Sequence, residues 1–428
     1  MSTLFISVGI DVGADFSFMS IALPNQTLIG KPFKITHANL NSLERAVSTI
    51  KEAEKLHSMK ARIVMESTGN YHYPLFCYLR DKGLCVVVIN PIISKNSTNM
   101  NIRKVHNDRF DSKKLALIGL KPDLKVSIVP LEAVLDLRNL VREYYNLMDS
   151  RVAYVNKLSG ILKVSFPQYS SVFSKNTTQT SLALLEMFQS PAEFLAAEEG
   201  VIIGVIRKTA RFCEAYAKAK YQAIVEAANK ANVFGHFVSS NGVQIRTCVS
   251  FIKKYDDEIA GILSLIREHV KRHDGEDFVR QIRLIESIPG AGFLTAATVI
   301  AEIGDFSAFK SPKQLFAYFG LDPAVKQSGK FVGTQVKMSK RGSAIARCAI
   351  YRIAVVGIGV NRKGVANNRV LRDCYLNKCK SKPKMVAIGV AMHKVCNIIF
   401  AILRDNKEFR IIAPEEHLAN YQTTKLVA

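Results

Sequence analysis

Four carboxylates, Asp11, Glu66, Asp108 and Asp111, have the spacing and surroundings of a metal-dependent phosphodiester chemistry. Such chemistry needs three or four carboxylates converging on Mg²⁺ ions roughly 4 Å apart, because hard cations take oxygen ligands and share the substrate phosphate. Asp11 stands in Gly9-Ile10-Asp11-Val12-Gly13, a charge among β-branched residues. Glu66 follows the apolar run Ile63-Val64-Met65. An acid at the C-terminal end of a strand opens onto the crevice where α/β proteins bind ligands. Asp108 and Asp111, at i and i+3, share one face of a helix expected to run to about Leu120. In isolation this pair reads as an N-cap and a first-turn acid favoured by the helix dipole. With Asp11 and Glu66 upstream the metal reading prevails, with two Mg²⁺ per site and Mn²⁺ able to substitute.

The elements that must position these residues read as alternating strands and helices. Leu4 to Val12 is rich in β-formers, and Phe16 to Leu23 is a hairpin partner apolar on both faces. A helical pattern covers Leu40 to His57, a strand Ala61 to Glu66, a helix Tyr73 to Lys82 and an apolar strand Leu84 to Ile89 that Pro91 ends. This order predicts an α/β layered domain over about residues 1–130. From about 131 to 274 the pattern turns helical. Val141, Met148, Val155 and Leu162 recur every seven residues, with Leu137, Tyr144 and Leu158 beside them. Ile245, Ile252, Ile259 and Ile266 repeat the spacing, flanked by Cys248, Tyr255 and Ile262. Two heptad-bearing helices predict an antiparallel coiled coil or bundle, and exposed seams predict assembly with further copies.

A third, mostly helical region spans about 275–412, followed by a tail over 413–428. In it Ile288-Pro289-Gly290-Ala291-Gly292 joins two short helices in a helix-hairpin-helix pattern. Backbone N–H groups near Gly290 and Gly292 would offer a seat to a DNA phosphate. Between Lys337 and Arg410 stand 17 Lys or Arg residues against three acids, Asp373, Asp405 and Glu408. Arg341, Arg347, Arg352, Arg362 and Arg372 alternate there with apolar helical residues. The whole chain of 428 residues carries a net charge of +23, a field that attracts polyanions, and nucleic acid is the commonest of these. Its length exceeds what a single core fills. Eight scattered Cys without paired spacing, and no leader-like segment after Met1, predict reduced thiols in a cytoplasmic protein. Cys374, Cys379, His393 and Cys396 are too loosely spaced for a zinc site and read as core. No uninterrupted apolar run suggests a membrane span.

Gly9-Ile10-Asp11-Val12-Gly13 would equally open an actin-like ATPase, but no second phosphate loop or adenosine-binding Gly-Gly segment follows in a fitting context. The order of motifs instead resembles the bacterial insertion-sequence transposases of family one-ten, which are relatives of the Piv-type DNA invertases and are understood as bridge-RNA-guided serine recombinases. The resemblance is carried by Gly9-Ile10-Asp11-Val12, Met65-Glu66-Ser67-Thr68-Gly69-Asn70-Tyr71 and Asn107-Asp108-Arg109-Phe110-Asp111 in the first half. In the second half it is carried by Ile288-Pro289-Gly290-Ala291-Gly292, Gly320-Leu321-Asp322-Pro323, Ser328-Gly329 and Ser339-Lys340-Arg341-Gly342. The later run Lys384-Met385-Val386-Ala387-Ile388 resembles the family's closing helix, after which His393 stands where Arg is expected, and the helical middle is longer than expected.

The resemblance implies a RuvC-like (RNase H-fold) first domain whose Asp-Glu-Asp-Asp set is Asp11, Glu66, Asp108 and Asp111. It implies that Ser339 attacks a DNA phosphodiester and becomes joined to it, with Ser328 the rival nucleophile. A Ser hydroxyl needs a base or metal to become nucleophilic. Lys340, Arg341 and Arg347 would neutralise charge in the transition state, with Lys337 and Arg352 as further nucleic-acid contacts. The competing structural role for Ser339 is the N-cap of a helix over Ala344 to Val356. The expected partners are donor and target DNA, a non-coding bridge RNA and further copies of the chain as a dimer or tetramer, without a membrane. The expected place is the nucleoid of a bacterial cytoplasm. The alternative function is a RuvC-type junction endonuclease that uses water in place of serine.

Overall fold

The structure, a computed structural model, describes residues 4–66, 71–89, 107–122, 124, 131–210, 212–323, 327–328, 331–332 and 338–411. The chain divides into two compact units, Met1–Pro130 and Leu131–Ala428.

In the first unit β1 (Ile6–Val12), β2 (Phe16–Ala22) and β3 (Leu28–Thr36) form an antiparallel meander. After α1 (Leu40–His57), β4 (Ala61–Glu66) pairs parallel with β1; after α2 (His72–Asp81), β5 (Cys85–Ile89) pairs parallel with β4. The sheet order is β3-β2-β1-β4-β5. Strand periodicity sorts its residues onto two faces. Ile6, Val8 and Ile10 of β1 join Ile63 and Met65 of β4 in a core that includes Ala46 and Ile50 of α1 and Leu75 and Leu79 of α2. The opposite face is covered by α3 (Asp108–Gly119), where Val64 and Ile89 meet Leu115 and Ile118. β2 is buried along almost its whole length, as its doubly apolar pattern predicts.

The second unit is almost entirely helical. Two helices of 34 residues, α4 (Glu132–Ser165) and α9 (Ser239–Arg272), run antiparallel. His269 Nε2 lies 2.8 Å from the Ala133 carbonyl, Arg151 pairs with Asp256 at 2.5 Å, and Tyr154 stacks on Phe251 at 4.7 Å. One end of the pair, with Leu158, Leu162, Ile245 and Ile252, is buried against α5 (Gln179–Met187), α6 (Pro191–Ala196), α7 (Glu199–Ala210) and α8 (Glu214–Val233). The other end, with Leu137, Val141 and Ile266, shares a core with α10 (Asp277–Glu286), α11 (Phe293–Ile303), α12 (Pro312–Tyr318), α13 (Ala344–Ile358), α14 (Arg369–Cys379) and α15 (Lys384–Asp405). Between the ends Met148 and Ile259 are only half-buried. Arg142 fastens this junction by a two-pronged bond, 2.8 and 3.1 Å, to the buried carboxylate of Glu302 on α11. A buried carboxylate needs such a partner.

By length and composition α15 is apolar enough to cross a membrane. Its apolar side, including Ala391, Val395 and Ile399, fills the core of the second unit. A short hairpin, β6 (Gln327–Ser328) with β7 (Phe331–Val332), lies in sequence between the two residues of an isolated bridge, Pro323 and Met338.

Candidate active site

Glycine decides how the carboxylates of the first unit meet. A Cβ on Gly9 would lie 2.1 Å from the Ala116 amide nitrogen and 2.3 Å from the Ser112 carbonyl oxygen. On Gly119 it would lie 2.1 Å from Ser7 Oγ. With neither Cβ present, α3 lies directly on β1, a close approach that glycine within a strand or helix face permits. The hydroxyls of Ser20 and Ser112 close this contact at 2.8 Å. Because Gly119 rests by Ser7 and Ala116 by Gly9, α3 runs against the direction of β1, and its N-terminal turn reaches the end that bears Asp11. Strand alternation places Asp11 on the same face as Ser7 and Gly9, and Glu66 on the same face as Val64. Glu66 lies one residue past the Ile10–Met65 pair of the parallel β1–β4 ladder, so two acids stand on adjacent strands about 4.8 Å apart.

The electrostatics agree with this placement. Burial first, then the charges of Asp111, Asp108 and Glu66, push the Asp11 carboxyl up from 3.8 to about 6. Like charges raise each other's proton affinity when no cation stands between them. Among the described residues no three of the Asp, Glu, His and Cys side chains are gathered tightly enough to hold one ion. The four carboxylates therefore share a field without sharing a point. An all-oxygen donor set under mutual repulsion has the chemistry of a hard-cation site. The N-cap of α3 is Asn107, whose side chain accepts from the Arg109 N–H at 3.0 Å, so neither Asp108 nor Asp111 is the capping residue.

In the second unit Ser339 lies half-buried between two backbone segments pressed together. A Cβ on Gly320 would come within 2.4 Å of the Gly342 nitrogen, and one on Gly342 within 1.9 Å of the Tyr318 carbonyl oxygen. Gly320 and Lys340 both have positive φ, +65° and +55°. The Ser339 N–H donates to the Asp322 carbonyl at 2.7 Å and the Lys340 N–H to the Gly320 carbonyl at 2.9 Å. Ser339 Oγ donates to Asp322 Oδ1 at 2.5 Å, and the Arg341 N–H approaches the same Oγ at 3.5 Å. The N-cap of α13 is Ser343, accepting from the Ala346 N–H at 3.1 Å, so the capping role considered for Ser339 belongs to a serine four residues on.

The cations named from the sequence divide into two groups. Lys340 and Arg341 are exposed beside Ser339. Arg347 spends its guanidinium on the carbonyls of Phe319, 3.1 Å, and Gly342, 2.6 Å, clamping the two segments. Arg352 lies over the Tyr145 ring at 5.4 Å. Lys337 falls outside the described residues, as do Ser67 to Asn70 and the side chain of Ser328. Gly290, with φ +109°, packs its turn onto α13, where a Cβ would lie 2.8 Å from the Gly357 nitrogen. Gly292 is exposed at the start of α11, and its N–H is taken by Thr295 Oγ1 at 3.0 Å. Sequence reasoning named Gly9 and Gly342 within motifs but passed over their packing role, as it did Gly119 and the role of Asp322. A glycine inside a strand, as at Gly9, is the one signal of close approach that was available.

Residues 8–167 match a family model described as Transposase, and residues 282–368 match the Transposase IS116/IS110/IS902 family. The transposase for insertion sequence element IS1111A of Coxiella burnetii is 23% identical over 351 residues, 81% of this chain and 79% of that protein. The pilin gene-inverting protein of Moraxella bovis is 32% identical over 126 residues, 29% of this chain and 38% of that protein. Among solved structures, T. thermophilus RuvC in complex with Holliday junction substrate matches at 10% identity and a TM-score of 0.20, over 26% of this chain and 90% of that one. The two matched segments describe one class of protein, the transposases, and together take in more than half of the chain. The chain belongs to the IS110 family of transposases and is a DNA-recombining enzyme.

Proposed function

We propose that the chain exchanges DNA strands through a covalent serine–DNA intermediate, with Asp11, Glu66, Asp108 and Asp111 holding Mg²⁺ and Ser339 as the nucleophile. The observation that carries the metal half is the shared field of the four carboxylates, which adds to the larger effect of burial in lifting Asp11 to about 6. The order β3-β2-β1-β4-β5, with the first acid on the central strand, supports a RuvC-like reading of the first unit. Bound Mg²⁺, which Mn²⁺ would replace, supplies Lewis-acid stabilisation of phosphate charge. The chain's own residues do the rest. Gly9 and Gly119 let α3 carry Asp108 and Asp111 to the sheet, and Ser339 presents a hydroxyl already hydrogen-bonded to a carboxylate. Lys340 and Arg341 beside it meet phosphate charge, and the basic residues between Lys337 and Arg410 hold the polyanion.

The guide RNA enters this reading through the family resemblance and the net charge of +23. RNA-guided recognition delegates base reading to pairing. Exchange of strands between donor and target also requires more than one copy, so the active form is a dimer or tetramer in the bacterial cytoplasm. The test is to purify the chain, sequence the copurifying nucleic acid and assay strand exchange on the ends of its element with and without Mg²⁺. A discrete non-coding RNA and Mg²⁺-dependent rejoining of strands are expected. Cleavage that leaves only hydrolysed ends would instead favour a water-using endonuclease.

A further inference from the structure

We propose that Asp322 is the proton acceptor for the Ser339 hydroxyl in strand cleavage; this rests on the reading of Ser339 as the nucleophile. The two residues are 17 apart in sequence, yet their side chains meet at 2.5 Å, Ser339 Oγ donating to Asp322 Oδ1. That contact is held by the backbone and does not depend on a rotamer choice alone. The Ser339 N–H bonds to the carbonyl of the same Asp322, Lys340 bonds to Gly320, and Pro323 bridges Met338. Two glycines allow the segments to touch, and Arg347 ties Phe319 to Gly342 across them. Among the described residues Asp322 forms no ion pair. Among the described residues the other charged side chains on these segments are Lys340 and Arg341, both exposed, and Arg347 at the start of α13.

This is the geometry of a hydroxyl held by a base: a donor–acceptor distance within hydrogen-bond reach and a carboxylate fixed from behind. In the step proposed, the Oγ–H proton passes to Asp322 Oδ1 as the Oγ–phosphorus bond forms. The bond from phosphorus to one bridging deoxyribose oxygen breaks, and that oxygen takes a proton from water. The carboxylic acid then gives its proton to the hydroxide left behind, and rejoining runs the same transfers in reverse.

The test uses the full chain with its copurified nucleic acid and an end-labelled duplex carrying the ends of its element. The rate at which label becomes covalently attached to denatured protein is measured from acid to alkaline pH for wild type, Asp322→Asn, Asp322→Glu and Ser339→Ala. Asn keeps an acceptor oxygen but cannot take the proton, so adduct formation should slow by about 10²–10⁴-fold with an unchanged melting temperature. Its residual rate should rise with pH as hydroxide replaces the base. Asp322→Glu, which retains a carboxylate, should recover part of the rate and the wild-type profile, a readout that survives if the Asn variant folds poorly. An Asp322→Asn rate within about threefold of wild type, on the same pH profile, would reduce the pair to a structural clamp. Absence of adduct in wild type would sink the nucleophile reading itself, and this inference with it.

Discussion

The carboxylate face of the first unit and the serine turn of the second are built by the same device and left in opposite electrostatic states. In both, missing Cβ atoms let backbone touch backbone: Gly9 and Gly119 seat α3 on β1, and Gly320 and Gly342 press two loop segments together. At the carboxylate face the contact gathers like charges, and burial with those charges lifts Asp11 to about 6. At the serine turn it gathers complementary groups, a hydroxyl and a carboxylate at 2.5 Å. One region is under like-charge repulsion, whereas the other pairs a donor with an acceptor. Close packing alone therefore does not mark a reactive site; what the packing brings together does.

The comparison breaks first at the charges. Asp11→Ala, Glu66→Ala, Asp108→Ala and Asp111→Ala should each cut recombination by at least about 10³-fold, the several kcal/mol that a metal contributes. Each should leave the circular dichroism spectrum unchanged, because removing one carboxylate relieves repulsion. Near-normal recombination in any one of them removes that residue from the site.

The packing device comes next. Gly9→Ala should destabilise the first unit by about 3 kcal/mol, at the upper end for overpacking, since its Cβ would strike backbone. Gly292→Ala, with nothing within 4 Å of its Cβ, should change stability by no more than about 0.5 kcal/mol. Chemical denaturation of both variants decides this, and equal effects would mean that α3 does not rest on β1 as described.

A third test reads the stress itself. The folded Asp11 carboxyl binds its proton more tightly than the unfolded one. Its stabilising contribution is thus complete below pH 3.8 and lost as pH rises through about 6. At pH 8 without Mg²⁺, Asp11→Asn should therefore stabilise β1 and β4 against hydrogen exchange by on the order of 1–3 kcal/mol, after allowance for partial exposure. Millimolar Mg²⁺ should protect the wild type more than the variant. A response to pH and Mg²⁺ that is the same in both proteins would contradict the stress.

The smallest effect separates two serines. Ser343→Ala should cost about 1 kcal/mol through loss of the α13 cap and leave catalysis near normal. Thermal melting and the exchange assay together check it. Loss of catalysis equal to that of Ser339→Ala would blur the distinction between cap and nucleophile.

Much of this arrangement is legible in the sequence. The helix from Leu40 to His57 and the strand from Ala61 to Glu66 occur with those bounds, because periodicity and the apolar run leave little choice. The sevenfold repeats predict the two long helices, and their burial concentrates toward the ends where other helices add cover. What was not legible depends on distance between parts far apart in sequence. Nothing local says that the Cβ of Gly9 would strike α3, or that Asp322 faces Ser339. The caps show the limit at short range. Asn107 and Ser343 won over Asp108 and Ser339 because the backbone turns into the helix at those residues, and composition alone allows either. Nor does anything local say that Arg347, read as a nucleic-acid contact, also ties the Phe319 and Gly342 carbonyls together, or that Arg352 lies over the Tyr145 ring.

The most direct test of the central claim is to trap labelled DNA on the denatured chain and map the attachment by mass spectrometry in wild type and Ser339→Ala. Attachment at Ser339 in wild type, and none in Ser339→Ala despite retained nucleic-acid binding, is the predicted result. Undiminished attachment in Ser339→Ala would move the nucleophile to another residue, Ser328 first, and cleavage by wild type without any attachment would contradict the serine mechanism.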